Sequence, residues 1–199
     1  MKIIYLIISA YNEEENIPVL LDSLEQNLQG KNIANYELVF VNDGSSDRTL
    51  AELLKAQKER QNIIIVNQSK NFGHEIAMTA GLNYVAEENK SDENDFAVIF
   101  MDADLQHPPE IVVEMIELWE NGKKLILTQR TDNEDKGLRY RILGNTYYWI
   151  LNFLSDVKIP RNMPDFRLLD KKYVLWINSL NETDRMFRGM LSLVGLQNA

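Results

Sequence analysis

Residues 95–110 read Asp-Phe-Ala-Val-Ile-Phe-Met-Asp-Ala-Asp-Leu-Gln-His-Pro-Pro-Glu. The run from Asp95 to Met101 is short and rich in aromatic and β-branched residues, which is typical of a buried strand. The sequence Pro108-Pro109-Glu110 is typical of a helix start, because proline is tolerated in the first helical turn. The segment therefore predicts a strand, a polar loop and a helix, in that order.

The same strand-to-helix pattern occurs repeatedly on either side of this segment. Strand-like runs occur at residues 2–8, 36–41, 63–66 and 124–128, and a shorter one at 166–169. Between them, apolar residues recur at three-to-four spacing, as in Ile17, Leu20, Leu21, Leu24 and Leu28, which predicts amphipathic helices. Alternation of this kind predicts an α/β fold with a mostly parallel sheet, helices on both faces and right-handed crossovers.

Composition narrows the class of protein. With 199 residues the chain has room for one domain and a tail, and its net charge of −9 argues against nucleic acid as a partner. The chain has no cysteine, which excludes disulfides and thiolate metal sites and fits a reducing compartment. No run of about 18 apolar residues occurs, so the sequence as given predicts a soluble protein.

Polar residues follow each predicted strand. They are Ser9, Tyr11, Asn12 and Glu13 after the first, Asn42 to Ser45 after the second, Asn67 and Asn71 after the third, Asp102, Asp104 and Gln106 after the fourth, and Gln129 and Arg130 after the fifth. Open α/β sheets bind ligands at the carboxyl ends of their strands. Five loops of this composition predict a binding site on that edge.

Missing motifs exclude several classes of site. The first strand is not followed by G-x-G-x-x-G, and neither G-x-x-x-x-G-K-[ST] nor G-x-S-x-G occurs in the chain. The chain therefore lacks the defining loop of a dinucleotide-binding oxidoreductase, of a P-loop enzyme and of a serine hydrolase of the α/β type.

Asp102 and Asp104 form a D-x-D motif directly after a predicted buried strand. In extended backbone, side chains two residues apart point the same way, so both carboxylates can face one point, and Gln106 joins them if the chain stays extended. Oxygen ligands of this kind suit Mg²⁺ or Mn²⁺.

Six stretches of the chain resemble the family 2 glycosyltransferases, and within them the polyprenyl-phosphate type. The stretches are Ala10 to Ile17, Phe40 to Asp47, Asn71 to Gly73, Met101 to Pro109, Asp165 to Asp170 and Phe187 to Gly189. The resemblance implies a Rossmann-like nucleotide-binding fold of the GT-A type. The family commonly has two aspartates where this chain has Asn42-Asp43, and lipid-phosphate members often have lysine at the position of His74.

The resemblance also implies roles for individual residues. The nucleotide-sugar donor would be bound by Ser9, Tyr11, Glu13, Asp43, Asn71 and Asp102, and a Mg²⁺ or Mn²⁺ ion by Asp102, Asp104 and Gln106. Arg130 would contact the donor phosphates, assisted by Arg139 or Arg141, and Arg188 the acceptor phosphate. Asp165 would be the general base for a hydroxyl acceptor, or would position Arg167 or the acceptor where the acceptor is itself a phosphate. The expected reaction is an inverting displacement from a UDP- or GDP-sugar.

Residues 1–130 are expected to form the nucleotide-sugar-binding core and residues 131–199 an acceptor-side segment of the same catalytic domain. Residues 138–155 combine aromatic residues with flanking arginines, which fits an interfacial helix on a membrane surface or an ordinary packing helix. The resemblance predicts a cytoplasmic domain at the membrane face, continued in the whole protein by membrane-spanning helices. A homo-oligomer is left open.

Two other classes of function remain as alternatives. A nucleotidyltransferase would need a glycine-rich, arginine-containing loop after the first strand, where this chain has Ser9-Ala10-Tyr11-Asn12. A noncatalytic nucleotide-binding scaffold predicts binding of the nucleotide without turnover.

Overall fold

The computed structural model describes residues 2–30, 33, 35–90, 94–128 and 165–180. Six strands form one sheet: β1 (Lys2–Ala10), β2 (Tyr36–Asn42), β3 (Ile63–Asn67), β4 (Asp95–Asp102), β5 (Leu125–Leu127) and β6 (Arg167–Asp170). Their order across the sheet is β3-β2-β1-β4-β6-β5. The pairs β3–β2, β2–β1 and β1–β4 are parallel, and β6 runs antiparallel to both β4 and β5.

The helices cover both faces of this sheet. They are α1 (Asn16–Gly30), α2 (Thr49–Glu59), α3 (His74–Glu88), α4 (Pro109–Glu120) and α5 (Lys171–Ser179). Apolar residues of α1, α2 and α4 pack in one buried cluster, and those of α3 and α5 in a second cluster on the opposite face. The two clusters arise because successive residues of a strand point to opposite faces.

The structure confirms the predicted fold class, a mostly parallel α/β sheet with helices on both faces. The strand-like run at 166–169 corresponds to β6, and α5 follows it directly. β6 lies between β4 and β5, so a strand from the second of the two expected segments completes the sheet of the first. The predicted helix at 138–155 lies outside the described residues.

The center of the sheet is closely packed against α3. A Cβ atom added to Gly81 of α3 would lie 2.5 Å from Cγ2 of Ile7 on β1. This close approach places the first residue of α3 over the carboxyl ends of the central strands.

Among the helices that the structure describes, none combines the length and hydrophobicity needed to cross a membrane.

Candidate active site

Three polar side chains lie in one row across the carboxyl edge of the sheet. Ser9 of β1 is the register partner of Asp102 of β4. On the other side of β4, Phe100 pairs with Arg167 of β6, and extending this antiparallel register by two residues brings Asp165 opposite Asp102. Side chains alternate along a strand, so the row faces the same side of the sheet as Ile7, Phe100 and Leu169, which pack against α3.

His74, the first residue of α3, lies over this row. Its Nδ1 atom is 3.2 Å from Oδ1 of Asp102, and its Nε2 atom is 3.3 Å from Oδ2 of Asp165. The Ser9 hydroxyl donates a 2.6 Å hydrogen bond to Oδ1 of Asp102 and lies 3.1 Å from Nδ1 of His74. One imidazole therefore contacts all three members of the row.

The surroundings of His74 favour its charged form. The hydrogen bond with Asp165 raises the pKa of His74 above its ordinary value, burial opposes this rise, and the charges of Asp102, Asp165 and Glu75 add to it. The net shift makes protonation of the ring easier, as expected for an imidazole held between carboxylates.

Asp165 is held from its other side by Arg167. Nη2 of Arg167 lies 3.4 Å from Oδ1 of Asp165, and the arginine side chain is only 1% exposed. Its guanidinium also lies over the ring of Phe100, 5.6 Å from the ring centroid. Asp165 thus contacts a basic side chain through each of its two oxygens.

Asp43 fixes the segment that leads into His74. The side chain of Asp43 is nearly fully buried and accepts hydrogen bonds from the backbone amides of Phe72 (2.8 Å) and Gly73 (2.9 Å). The next residue, Gly44, has a φ of 64°, and a Cβ atom there would lie 2.2 Å from the carbonyl carbon of Lys70. The loop after β2 therefore sets the position of the loop before α3, including the exposed Asn71.

The loop after β1 is joined to the loop after β2 by side-chain hydrogen bonds. The Asn12 carboxamide oxygen accepts from the Ser46 amide, and the Glu13 amide donates to the Thr49 hydroxyl. The Glu13 carboxylate accepts from the Asn16 side chain at the start of α1. Tyr11, between these contacts and the end of β1, is 46% exposed and presents its ring to solvent at the rim of the site.

The D-x-D segment departs from the extended conformation that the sequence argument assumed. β4 ends at Asp102, the Gln106 amide donates to Oδ1 of Asp104, and Leu105 between them has a φ of 62°. The extension used to place Gln106 beside the two aspartates is therefore wrong, because the carboxylate of Asp104 turns the chain. The structure does not test whether Gln106 binds a metal.

His107 holds the first residue of the D-x-D segment in place. Its Nδ1 atom accepts a 3.0 Å hydrogen bond from the Asp102 amide, and its ring stacks on Phe166 with 4.6 Å between centroids. Because Nδ1 is used as an acceptor, this ring carries its proton on Nε2. His107 thus fixes the end of β4 by a contact that its sequence position gave no reason to expect.

Asp102 and Asp104 fit a hard divalent cation by the chemistry of their carboxylate oxygens. Within residues 2–128 and 165–180, so far as they are described, no cluster of three or more His, Asp or Glu side chains could hold a metal ion. Two carboxylates leave most positions of such an ion for other oxygen ligands.

Nine of the site residues predicted from the sequence lie in the described part of the chain. Ser9, Tyr11, Glu13, Asp43, Asn71, Asp102, Asp104, Gln106 and Asp165 all lie on loops or strand ends there. Arg130 and Arg188, and the assisting Arg139 and Arg141, lie outside the described residues. The bridging contacts of His74 were missed, and the only sequence signal for them was histidine at a position where lipid-phosphate enzymes often have lysine.

Comparison with known proteins gives consistent results. The family model described as glycosyl transferase family 2 matches residues 5–175. An uncharacterized glycosyltransferase of Synechocystis sp. is 37% identical over 96% of this chain and 57% of its own length. The bactoprenol glucosyl transferase of Shigella phage SfV is 34% identical over 98% of this chain and 60% of its own length. The chain thus spans less than two thirds of the length of these curated relatives.

Solved structures share the fold at low sequence identity. S. aureus TarS in complex with UDP aligns over 96% of this chain and 54% of its own, with a TM-score of 0.58 and 18% identity. The Pyrobaculum calidifontis mannosyltransferase PcManGT, in complex with GDP-mannose and Mn²⁺, aligns over 91% and 49%, with a TM-score of 0.54 and 15% identity. On the family match over most of its length, this chain belongs to glycosyl transferase family 2.

Proposed function

We propose that this chain is the catalytic domain of a glycosyltransferase that moves a sugar from a UDP- or GDP-sugar to a polyprenyl phosphate. The observation that carries the proposal is the row of Ser9, Asp102 and Asp165 beneath His74, at the carboxyl edge of a GT-A type sheet. Two carboxylates from distant parts of the chain lie there a single imidazole apart, and we assign Asp102 to the donor and Asp165 to the acceptor. Such a spacing suits a reaction in which two substrates meet.

The donor would lie over the loops after β1, β2 and β4. Tyr11 has an exposed ring that can stack on a base, and the loop carrying Asp43 is preorganized by its bonds to Phe72 and Gly73. Asp102 and Asp104, with Gln106 as the third expected ligand, would hold Mg²⁺ or Mn²⁺ against the diphosphate. When bound, such an ion stabilises the negative charge that the leaving nucleoside diphosphate gains.

The reaction would be a single inverting displacement. An acceptor oxygen forms a bond to the anomeric carbon while the bond from that carbon to the diphosphate breaks, and the electron pair leaves with the nucleoside diphosphate. Arg130 is expected to contact the departing diphosphate and Arg188 the acceptor phosphate. Arg167 keeps Asp165 oriented toward the row, so the acceptor would meet a fixed carboxylate.

A phosphate acceptor suits this site better than a hydroxyl. A phosphate monoester has a second pKa of about 6 and is already nucleophilic near neutral pH. Both oxygens of Asp165 already contact basic side chains of the protein, Oδ1 that of Arg167 and Oδ2 that of His74, and a phosphate acceptor would need no general base. Asp165 would then position the acceptor and not remove its proton. The name of the 34% identical bactoprenol glucosyl transferase supports a lipid acceptor. On this proposal the domain would act at the cytoplasmic face of the membrane.

The donor half of the proposal is tested by calorimetric titration of UDP, GDP and ADP with Mn²⁺ and then with EDTA. We expect one nucleotide to bind only with metal, and Asp104→Ala to weaken that binding more than about tenfold, since it removes a charged metal ligand. Glu110→Ala, a change of another carboxylate just beyond the loop, is the matched control. Absence of binding to the folded protein with any nucleotide would contradict the proposal.

The acceptor half is tested by transfer to a short-chain polyprenyl phosphate, compared with the matching polyprenol. We expect sugar transfer to the phosphate and little or none to the alcohol. Metal-dependent nucleotide binding without transfer to either acceptor would favor the noncatalytic scaffold instead.

A further inference from the structure

His74 connects the carboxylate of Asp102, at the end of β4, with that of Asp165, two residues before β6. Its Nδ1 atom faces Asp102 at 3.2 Å and its Nε2 atom faces Asp165 at 3.3 Å. The two ring nitrogens of imidazole diverge from a rigid planar ring, so one side chain can contact two carboxylates at once with a fixed separation between them. A flexible side chain with one terminal group fixes no such separation.

The backbone of His74 is itself held in place. Asp43 accepts hydrogen bonds from the amides of Phe72 and Gly73, the two residues before His74. On the other side, the carbonyl oxygen of Gly73 accepts from the amides of Ile76 and Ala77, which begins α3 at His74. The bridge therefore rests on a buried aspartate and a helix start, and the imidazole is not a surface group that meets the carboxylates by chance.

Each carboxylate keeps a second partner apart from His74. Asp102 accepts from Ser9, and Asp165 contacts Arg167. Loss of the imidazole would leave each aspartate with its other partner, but it would remove the contact that connects the two. The contribution specific to His74 is thus the placement of one carboxylate relative to the other.

On the proposed function, Asp102 lies on the donor side and Asp165 on the acceptor side. We propose that His74 is a positioning residue, which fixes the acceptor-side carboxylate Asp165 relative to the donor-side carboxylate Asp102 through its two ring nitrogens. The structural part stands on the geometry alone, whereas the kinetic consequence rests on the proposed function.

The structural part is tested without any substrate, by a double-mutant cycle in urea unfolding. His74→Ala and Asp165→Ala are measured singly and together, with Asp165→Asn in place of Asp165→Ala if that variant does not fold. We expect the effects on the folding equilibrium constant to be coupled by about fivefold or more. Thr79→Ala, on the same helix, is the matched control, since its hydroxyl donates to the Glu75 backbone oxygen, and its cycle with Asp165 should show no coupling. Coupling below twofold for His74 overturns the proposal.

The kinetic part is tested by transfer assays with the same variants. We expect His74→Ala to lower kcat by about 10- to 100-fold, as loss of a supporting contact commonly does, while KM for the donor changes less than about threefold. In the Asp165→Ala background the same change should have little further effect. His74 is 35% exposed, so added imidazole should reach the gap and restore part of kcat in His74→Ala alone.

The outcomes separate the inference from the function on which it rests. If the unfolding cycle shows coupling but the wild-type chain neither binds nucleotide nor transfers sugar, the proposed function fails and the bridge stands. If the wild-type chain transfers sugar but His74→Ala lowers kcat equally with and without Asp165, the positioning role fails and the function stands.

Discussion

Asp165 lies opposite Asp102 when the antiparallel pairing of β6 with β4 is extended by two residues. The two carboxylates come from distant parts of the chain, yet the register of one strand pair brings them to the same level of the sheet. An antiparallel β6 is required for this, because a parallel strand in its place would direct the chain before Arg167 toward the opposite edge. The geometry of the candidate site is thus set by the direction of a four-residue strand.

Replacement of Gly44 should be strongly destabilising. Gly44→Ala puts a Cβ atom 2.2 Å from a backbone carbon of Lys70 and forces alanine to a φ of 64°. Strain and overpacking together predict a loss of about 3 kcal/mol in the free energy of unfolding. Gly122→Ala is the matched control, because its φ is also positive, at 96°, but nothing lies within 4 Å of the added atom. Equal losses for the two variants in urea unfolding would show that the close approach to Lys70 is unimportant.

Asp43→Asn should loosen the loop before α3. Asparagine offers one acceptor oxygen to two backbone amides and directs its NH₂ group at the other, so the amide of Phe72 or Gly73 loses its partner. We expect a loss of about 2 kcal/mol in the free energy of unfolding and faster hydrogen exchange at these two amides. Asp22→Asn, which changes an exposed ion pair with Arg60, serves as the control. Unchanged exchange at residues 72 and 73 would refute the proposed role of Asp43 in the loop.

Replacement of Asp170, the last residue of β6, should lower the stability of the protein strongly. It accepts hydrogen bonds from Trp119 Nε1 (2.7 Å) and Lys124 Nζ (2.8 Å), and it caps α5 by accepting from the Lys172 amide. Asp170→Ala should cost about 3 kcal/mol, because a buried indole N–H and a helix start both lose their acceptor. Lys124→Met tests the ion pair alone and should cost less than about 1 kcal/mol, since Lys124 is half exposed. Thermal unfolding of both variants would compare the two, and similar losses would assign the stabilisation to the ion pair.

Glu37→Gln should stabilise the protein at neutral pH but not in acid. Burial and the nearby charge of Glu88 raise the pKa of Glu37 in the folded state. A raised carboxyl pKa contributes stability below the unfolded value of about 4.3, and this contribution is lost as the pH rises through the folded value. The free energy of unfolding of the variant should therefore rise relative to that of the wild type between about pH 4 and pH 7. Urea midpoints across this range measure the difference, with Glu15→Gln as a control for loss of one exposed negative charge, and a gain independent of pH would contradict the assignment.

Local sequence pattern was sufficient to predict the sheet and the edge that bears the site. Each strand is a short apolar run. The polar residues that follow a parallel strand lie at the carboxyl edge of the sheet whatever the register of that strand. The bridge from His74 was not predictable in this way, because it depends on the register of β6 against β4 and on how closely α3 approaches β1. The turn at Leu105 was missed for a local reason, since an Asp104 side chain that accepts from the Gln106 amide competes with extended backbone.

Asn42 shows how a departure from a family pattern is explained by its surroundings. The carboxamide of Asn42 donates a 2.7 Å hydrogen bond to that of Asn67, its register partner on β3, and accepts from the Ser45 amide. Asn67 and Ser45 thus satisfy Asn42 where an aspartate would have placed a second buried charge beside Asp43. The sequence showed that Asn42 lacks the charge of an aspartate, but not that Asn67 is its hydrogen-bond partner.

The position of β6 also has a consequence for the order in which the protein folds. β5 is paired with β6, which lies between it and β4, although Leu127 precedes Arg167 in the chain. During synthesis β5 therefore leaves the ribosome well before β6, the strand that attaches it to the sheet. The backbone N–H and C=O groups of β5 cannot pair with β6 until that later segment has been made. Pairings of this non-local kind slow folding and leave strand edges exposed to other chains. Asp165 arrives with the same segment, so ligand binding that depends on it would begin only when β6 has docked.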